Sequence, residues 1–335
     1  MIFHPGILAL VCGSALVTLM MLYASLLGIK VIRQWNFQSS SASQLSLERR
    51  TYLISTLMNY VLGFQIISAL LFIYTVEDIH NLFVGAMCAT GSLNVNPVGW
   101  FALLSKISVC FVAGFWLVLN YLDQKAEDYP LVRLKYFLLL FLLPIIVLDS
   151  FLQFQYFLGL DPDIITSCCG SLFSDSRDSV VSSIAGFPVL PAMILFYVDF
   201  ILVLIVSLFC LFSKKTFLRY FLSAINAALL FVALASVVSF ISMYIYELPT
   251  HHCPFDIMQK EYTFIGYPLY ISLFCAVFLG LLPGIFQPLK KIPSLQITVN
   301  KLERAWIIFS MSCMIIFVFI STYSVLTSNL SYFSY

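Results

Sequence analysis

Six cysteine and histidine residues give this chain its clearest capacity for chemistry, because thiolates and imidazoles are the usual protein donors for soft and borderline metal ions. They fall in three polar stretches between long apolar runs. A pair of thiols in such a stretch can also form a disulfide, so metal binding and thiol redox chemistry are both open. The residues are Cys88, Cys168, Cys169, His251, His252 and Cys253.

Structural disulfides are one interpretation of the four cysteines. An even number of cysteines in an oxidising compartment normally pairs, and four of them allow three connectivities. A bridge between the adjacent Cys168 and Cys169 would strain the peptide between them. We therefore expect these two to reach Cys88 and Cys253. On this interpretation the chain is a non-catalytic membrane subunit or anchor.

A metal site is the second interpretation. His251-His252-Cys253 places three potential donors in three consecutive residues, and Cys88 or the Cys168–Cys169 pair could complete the set. Copper and zinc are the ions expected for such donors. Neighbouring side chains of an extended segment point to opposite sides, so only one of the two histidines should face the thiols.

Thiol–disulfide exchange is the third interpretation, in which the protein is a quinone-linked oxidoreductase. Such enzymes need a mobile pair of cysteines, commonly spaced CxxC. Here the corresponding stretch reads Cys253-Pro254-Phe255-Asp256, and an aspartate cannot act as the second sulfur. No Walker, Rossmann or HExxH motif is present either, so the sequence favours a protein that is not an enzyme without deciding the question.

The elements that must position these residues are membrane-spanning helices. The 335 residues are 61% hydrophobic and only 10% charged, whereas soluble domains carry about 25% charged residues. Apolar runs long enough to cross the bilayer predict an all-α bundle of about eight helices in a single integral membrane domain. They cover about 6–29, 52–75, 100–122, 134–157, 187–212, 217–246, 262–288 and 304–326.

The basic residues predict the orientation of the bundle. Of the 17 lysines and arginines, all but Lys106, Arg177 and Lys260 lie in the loops that follow helices 1, 3, 5 and 7. By the positive-inside rule these loops are cytoplasmic and both termini are outside. The outer loops are then about 76–99, 158–186 and 247–261, and they contain all six cysteine and histidine residues named above.

The expected location is the bacterial cytoplasmic membrane, with the outer loops in the periplasm or the exterior. The lipid bilayer is the first partner, and exported or membrane proteins are candidate partners. No basic tract suggests nucleic acid. The Ser-rich stretch 39–43 in the first cytoplasmic loop is expected to be a flexible connector.

Three ionisable side chains fall inside predicted helices: Lys106, Asp149 and Asp199. A charged group at this depth costs several kcal/mol unless it is paired, roughly 3 on insertion scales. Lys106 and Asp149 lie at similar depth, so we expect an ion pair between them. Asp199 lies deeper and has no obvious cationic partner, which suits either a hydrogen-bonded neutral acid or a proton or ion site.

These observations lead to one working hypothesis with two alternatives. The outer loops form a cap of cysteine and histidine donors that handles a soft metal or redox equivalents for exported proteins. A membrane subunit with structural disulfides is the alternative, and quinone-linked thiol oxidation is the third possibility.

Overall fold

The chain forms an all-α bundle with eight helices long and apolar enough to cross a membrane. The computed structural model describes residues 3–36, 39, 41–166 and 188–330, and no strand occurs in those ranges. The helices are α1 Pro5–Gln34, α2 Ala42–Leu82, α3 Gly99–Lys125, α4 Val132–Leu158, α5 Val189–Phe212, α6 Thr216–Tyr246, α7 Gly266–Lys291 and α8 Pro293–Thr327. This confirms the predicted fold class, while the orientation in the membrane stays a prediction.

Two helices begin about ten residues before the apolar runs that predict them. Helix α2 begins at Ala42 and α8 at Pro293, because helical hydrogen bonding continues through polar residues that hydropathy does not count. The side chain of Ser41 caps α2 by accepting a hydrogen bond from the Gln44 backbone N–H at 3.3 Å. The expectation of a flexible Ser-rich connector is therefore wrong from Ser41 onward.

The first of two compact units comprises Met1–Phe83, Ser92–Ile164 and Ile292–Thr298. Its helices α1 to α4 form a closed ring of contacts, since α1 packs on α2 and α4, and α3 packs on the same two helices. That the whole chain forms a single membrane domain stays a prediction.

Two buried ion pairs join α3 and α4 in this unit. Lys106 Nζ of α3 lies 2.7 Å from Asp149 Oδ2 of α4, which confirms the expected pair. Toward the other end of the two helices the arrangement is reversed, since α4 contributes the lysine and α3 the aspartate. There Lys135 Nζ lies 2.7 Å from Asp123 Oδ2. A shift of either antiparallel helix along the other would separate both pairs, so they fix the register of α3 against α4.

The Lys106–Asp149 pair is fully enclosed, and neutral groups complete its hydrogen bonding. Gln65 Nε2 donates to Asp149 Oδ2 at 2.8 Å, and Ser105 Oγ donates to Asp149 Oδ1 at 2.8 Å. Because Asp149 is 0% exposed and Lys106 2% exposed, neither charge has access to water. Such partners are what make a buried ion pair tolerable.

The second unit comprises Val84–Gly91, Ile165–Lys291 and Val299–Tyr335. In it α6 packs on α5 and α7, and the rings of Phe196, Phe240 and Phe317 join α5, α6 and α8. Helix α6 contains a π-helical turn, Val237–Ile241, before its last turn. The segment Val84–Gly91 and the stretch between α6 and α7, both in this unit, carry the residues of the candidate site.

Candidate metal centre

Three side chains with metal-binding chemistry meet in the second unit: Cys88, Cys253 and Asp256. The two sulfur atoms lie 3.4 Å apart, and Cys253 Sγ donates to Asp256 Oδ1 at 3.3 Å. One donor atom from each residue lies within 4.8 Å of both others. Both cysteines are 0% exposed and Asp256 is 6% exposed, so the cluster is buried.

A tight turn between α6 and α7 brings Asp256 back onto Cys253. The Phe255 backbone N–H donates to Cys253 Sγ at 3.4 Å, and Asp256 begins the 3-10 turn Asp256–Met258. Pro254 favours an extended or turn conformation at the residue before it. The fourth residue of the Cys-Pro-Phe-Asp stretch therefore lies where the second cysteine of a CxxC would provide a sulfur.

Two tyrosines stabilise the backbone of this turn through hydrogen bonds. The Tyr246 hydroxyl donates to the Cys253 carbonyl at 2.6 Å and accepts from the Ile257 N–H at 2.9 Å. The Tyr270 hydroxyl donates to the Pro254 carbonyl at 2.7 Å. Because α6 contributes Tyr246 and α7 contributes Tyr270, both helices that flank the turn fix its backbone.

Cys88 lies in the segment Val84–Gly91, which follows α2 and includes the start of the short helix Ala89–Asn94. The Gly91 N–H donates to the Cys88 carbonyl at 2.9 Å. The hydroxyl of Thr90 lies 3.4 Å from Cys253 Sγ, so the segment contacts the other cysteine twice. Gln259 Nε2 donates to the Met87 carbonyl at 2.6 Å and ties this segment to the stretch that follows the turn.

Gly85 allows the chain to approach Thr166 closely just before Cys88. Its φ of +86° lies in the region that favours glycine. A Cβ built there would lie 2.4 Å from the Thr166 carbonyl oxygen, and the Thr166 N–H donates to the Val84 carbonyl at 3.0 Å. No other residue type fits this position without a shift of the backbone.

The two adjacent histidines have different partners. His251 Nε2 lies 2.5 Å from Asp256 Oδ2, whereas Cys253 Sγ donates to Oδ1, and the His251 ring packs edge-on against the Tyr246 ring. His252 Nδ1 lies 2.9 Å from the Val238 carbonyl oxygen in the π turn of α6. Since a carbonyl can only accept, Nδ1 of His252 carries the proton.

The cluster favours an ionised carboxylate. Burial raises the pKa of Asp256, but hydrogen bonds from His251, Cys88 and Cys253 outweigh burial and hold the pKa below its ordinary value. Nearby Tyr262 shows the opposite effect, because burial and the charges of Asp256 and Glu261 raise its pKa. A negative charge beside two buried sulfurs suits a bound cation.

The other predicted site residues are placed as follows. Cys168 and Cys169 lie outside the described residues, so their pairing with Cys88 and Cys253 stays a prediction. Lys106 and Asp149 form one of the two buried ion pairs described above for the first unit. Asp199 lies on α5, and its buried Oδ2 has no hydrogen-bond partner within the described parts of the chain.

Asp256 is the site residue that sequence reasoning did not select. Its position three residues after Cys253 matches the spacing of a CxxC, where an aspartate cannot replace the second sulfur in thiol exchange but can bind a metal ion. A search for any metal-ligating side chain at that spacing would have found it. Thr90 carries no comparable signal.

Comparisons of this chain with protein-family models, with curated proteins and with solved structures find no match. The function must therefore be argued from the cluster itself.

Proposed function

We propose that this multi-pass membrane protein binds a soft or borderline metal ion through Cys88, Cys253 and Asp256, and handles that ion for proteins on the outer side of the membrane. The observation that carries the proposal is the convergence of three donor atoms within 4.8 Å of one another. They come from two segments far apart in the chain, and they meet in a buried place.

The distance between the sulfurs suits two thiolates on one ion. At 3.4 Å it is well beyond the ~2.05 Å of a disulfide bond. Two thiolates bound tetrahedrally to one ion, with metal–sulfur bonds of about 2.3 Å, lie about 3.8 Å apart. A small outward movement of either side chain would give this distance.

The partner of Asp256 supports the same assignment. His251 contacts Oδ2 of the carboxylate, whereas Cys253 Sγ donates to Oδ1, so the contact with His251 leaves Oδ1 available to the Cys253 sulfur. Partners of this kind orient a metal ligand and raise affinity in known metal sites. We assign His251 to this positioning role rather than to direct binding.

The part of the proposal that concerns outer proteins rests on the loop charges. Both segments of the cluster lie in loops poor in lysine and arginine, which the positive-inside rule assigns to the outer face. A metal site on the outer face would be on the same side of the membrane as exported proteins and the outer parts of membrane proteins.

A thiol–disulfide pair is the second candidate, because the contact between Cys88 Sγ and Cys253 Sγ also suits oxidation to a bridge. Burial argues against the quinone-linked version of this candidate. Both cysteines are 0% exposed, whereas exchange requires a thiolate that can reach another sulfur. The Asp256 carboxylate also accepts hydrogen bonds from both thiols. Its negative charge disfavours the loss of the thiol protons, unless a cation replaces them.

Total metal analysis of the purified protein tests the proposal. We expect Cys88→Ser, Cys253→Ser and Asp256→Asn each to lose most of the bound metal, while Cys210→Ser, which removes a buried cysteine at the end of α5, keeps it. Asp256→Asn is nearly isosteric, so it reports on binding even if a cysteine variant folds poorly. Equal metal in all five proteins, or none in any, would overturn the proposal.

A further inference from the structure

We infer that the second unit binds the headgroup of an anionic phospholipid at the end of its helices where basic residues gather. This basic end comprises Lys214, Lys215, Arg219, Lys290, Lys291, Lys301 and Arg304. The inference is independent of the metal site. It follows from the way one buried carboxylate brings these cations together and from the aromatic surface beside them.

Glu303 is the residue at which three helices of the basic end meet. Arg219 Nε of α6 donates to Oε1 of Glu303, which belongs to α8, at 3.0 Å, and Lys290 near the end of α7 pairs with Glu303 Oε2. Arg219 is 6% exposed and Glu303 4% exposed, so their contact is buried. Two cations share one carboxylate, and the group therefore keeps a net positive charge.

This contact also gathers five exposed cations. Arg219 Nη1 donates to the Lys215 carbonyl at 2.9 Å, which holds the start of α6 beside the buried group. Each exposed cation lies within two residues of Lys215, Lys290 or Glu303 in the chain: Lys214, Lys215, Lys291, Lys301 and Arg304. Across the described parts of the chain none of the five forms an ion pair, so their charges are available to a ligand.

The basic end has fewer acidic residues than orientation in the membrane explains. The loops and helix ends of the first unit that the positive-inside rule assigns to the same side also contain seven basic residues, but with four acidic ones: Glu48, Asp123, Glu127 and Asp128. At the basic end Glu303 is the one acidic residue. Because orientation depends on lysine and arginine and hardly on acidic residues, a surplus of six charges against three indicates a further role.

Exposed aromatic side chains beside the lysines indicate that the anionic ligand has an apolar part. Phe217, two residues after Lys215, is 73% exposed, and its ring stacks on that of Phe221 with the centroids 6.0 Å apart. On a membrane-spanning helix such a surface faces acyl chains. A ligand that contacts the lysines and these rings together has a negative head and an apolar tail, which is the chemistry of an anionic phospholipid.

Binding of fluorescent phosphatidylglycerol to the full-length protein in neutral detergent tests the inference. We expect saturable binding that unlabelled phosphatidylglycerol displaces, that phosphatidylcholine does not displace, and that weakens as the salt concentration rises. Displacement by phosphatidylcholine as effective as by phosphatidylglycerol would overturn the inference. So would equally effective displacement by inorganic phosphate, because the ligand would then be a free anion.

A pair of double variants locates the headgroup site. Lys214→Gln with Lys215→Gln should weaken phosphatidylglycerol binding by about fivefold for each lysine removed. Arg49→Gln with Arg50→Gln is the matched control, because it neutralises two adjacent exposed cations of the first unit, and it should leave the affinity unchanged. Equal losses in the two double variants would show attraction to basic surface in general and would contradict a site at the basic end.

A pair of single variants tests the acyl-chain contact. Phe217→Ala should weaken phosphatidylglycerol binding, whereas Phe231→Ala, which removes an equally exposed ring of the same helix, should not. The unfolding temperature of every variant is measured alongside. The displacement series on the unchanged protein decides the inference even if a variant is unstable, since the loss of lipid selectivity there would by itself overturn it.

Discussion

Cys88 and Cys253 are 165 residues apart in the chain, and their sulfur atoms lie 3.4 Å apart. Cys88 follows the second membrane-spanning helix and Cys253 follows the sixth, so each lies after the second helix of a consecutive set of four. The two cysteines therefore meet because of the tertiary fold, and their contact should be sensitive to changes in the segments that carry them.

Gly85→Ala should disrupt the segment that holds Cys88. A side chain at a φ of +86° costs roughly 1–3 kcal/mol, and its Cβ would also meet the Thr166 carbonyl. We expect a lower unfolding temperature in detergent and reduced metal retention. Gly63→Ala is the matched control, because a Cβ there meets no atom within 4 Å; a Gly85 variant that behaves like this control would show that the close approach is unimportant.

His251 and His252 should differ in importance. His251→Ala removes the partner of the Asp256 carboxylate and should weaken metal binding by about 10–100-fold. His252→Ala removes only a hydrogen bond to the Val238 carbonyl and should change metal affinity little. Metal titration of the two variants measures the difference, and equal losses in both would contradict the separate roles assigned to them.

Lys106→Met should destabilise the first unit strongly. It leaves the buried Asp149 carboxylate without its cationic partner, which costs about 3–5 kcal/mol in buried pairs. The double replacement Lys106→Met with Asp149→Leu should recover much of the loss, because neither charge then remains. Lys30→Met, at an exposed position of α1, is the control. Thermal unfolding in detergent measures all three, and a single variant as stable as the control would refute the importance of the pair.

Reporter fusions should place residues near 40, 128, 215 and 297 in the cytoplasm. The basic residues concentrated in these four loops are the reason. Fusions near residues 85 and 250, next to the cluster, should give the external signal. An external signal from any of the four basic loops would invalidate the orientation and with it the outer location of the metal site.

The eight helices could be predicted because the bilayer demands about 20 apolar residues in each, and such runs are visible in sequence. The Lys106–Asp149 pair was predictable for a related reason, since two opposite charges at similar depth have few alternatives in hydrocarbon. Helix starts such as Ala42 were missed because a helix extends beyond the lipid through residues of ordinary polarity.

The candidate site was predictable only in part. Cys88 and Cys253 could be selected by residue type and loop location, but sequence alone could not show that they contact each other. Asp256 and the separate partners of His251 and His252 depend on how one turn folds back. A shift of one residue in that turn would exchange the directions of the two histidine side chains, and nothing in the hydropathy pattern determines it.

Differential alkylation of Cys88 and Cys253, read by mass spectrometry of peptides from the purified protein, tests the central claim most directly. The protein is unfolded and labelled without reductant, once with its metal left bound up to unfolding and once after treatment with a chelator. If the two sulfurs bind a metal ion, both cysteines become labelled in either case, and the protein that was not treated with the chelator releases its metal ion on unfolding. If both cysteines can be labelled only after a reductant is supplied, with or without the chelator, they are joined as a disulfide and the metal site proposed here does not exist.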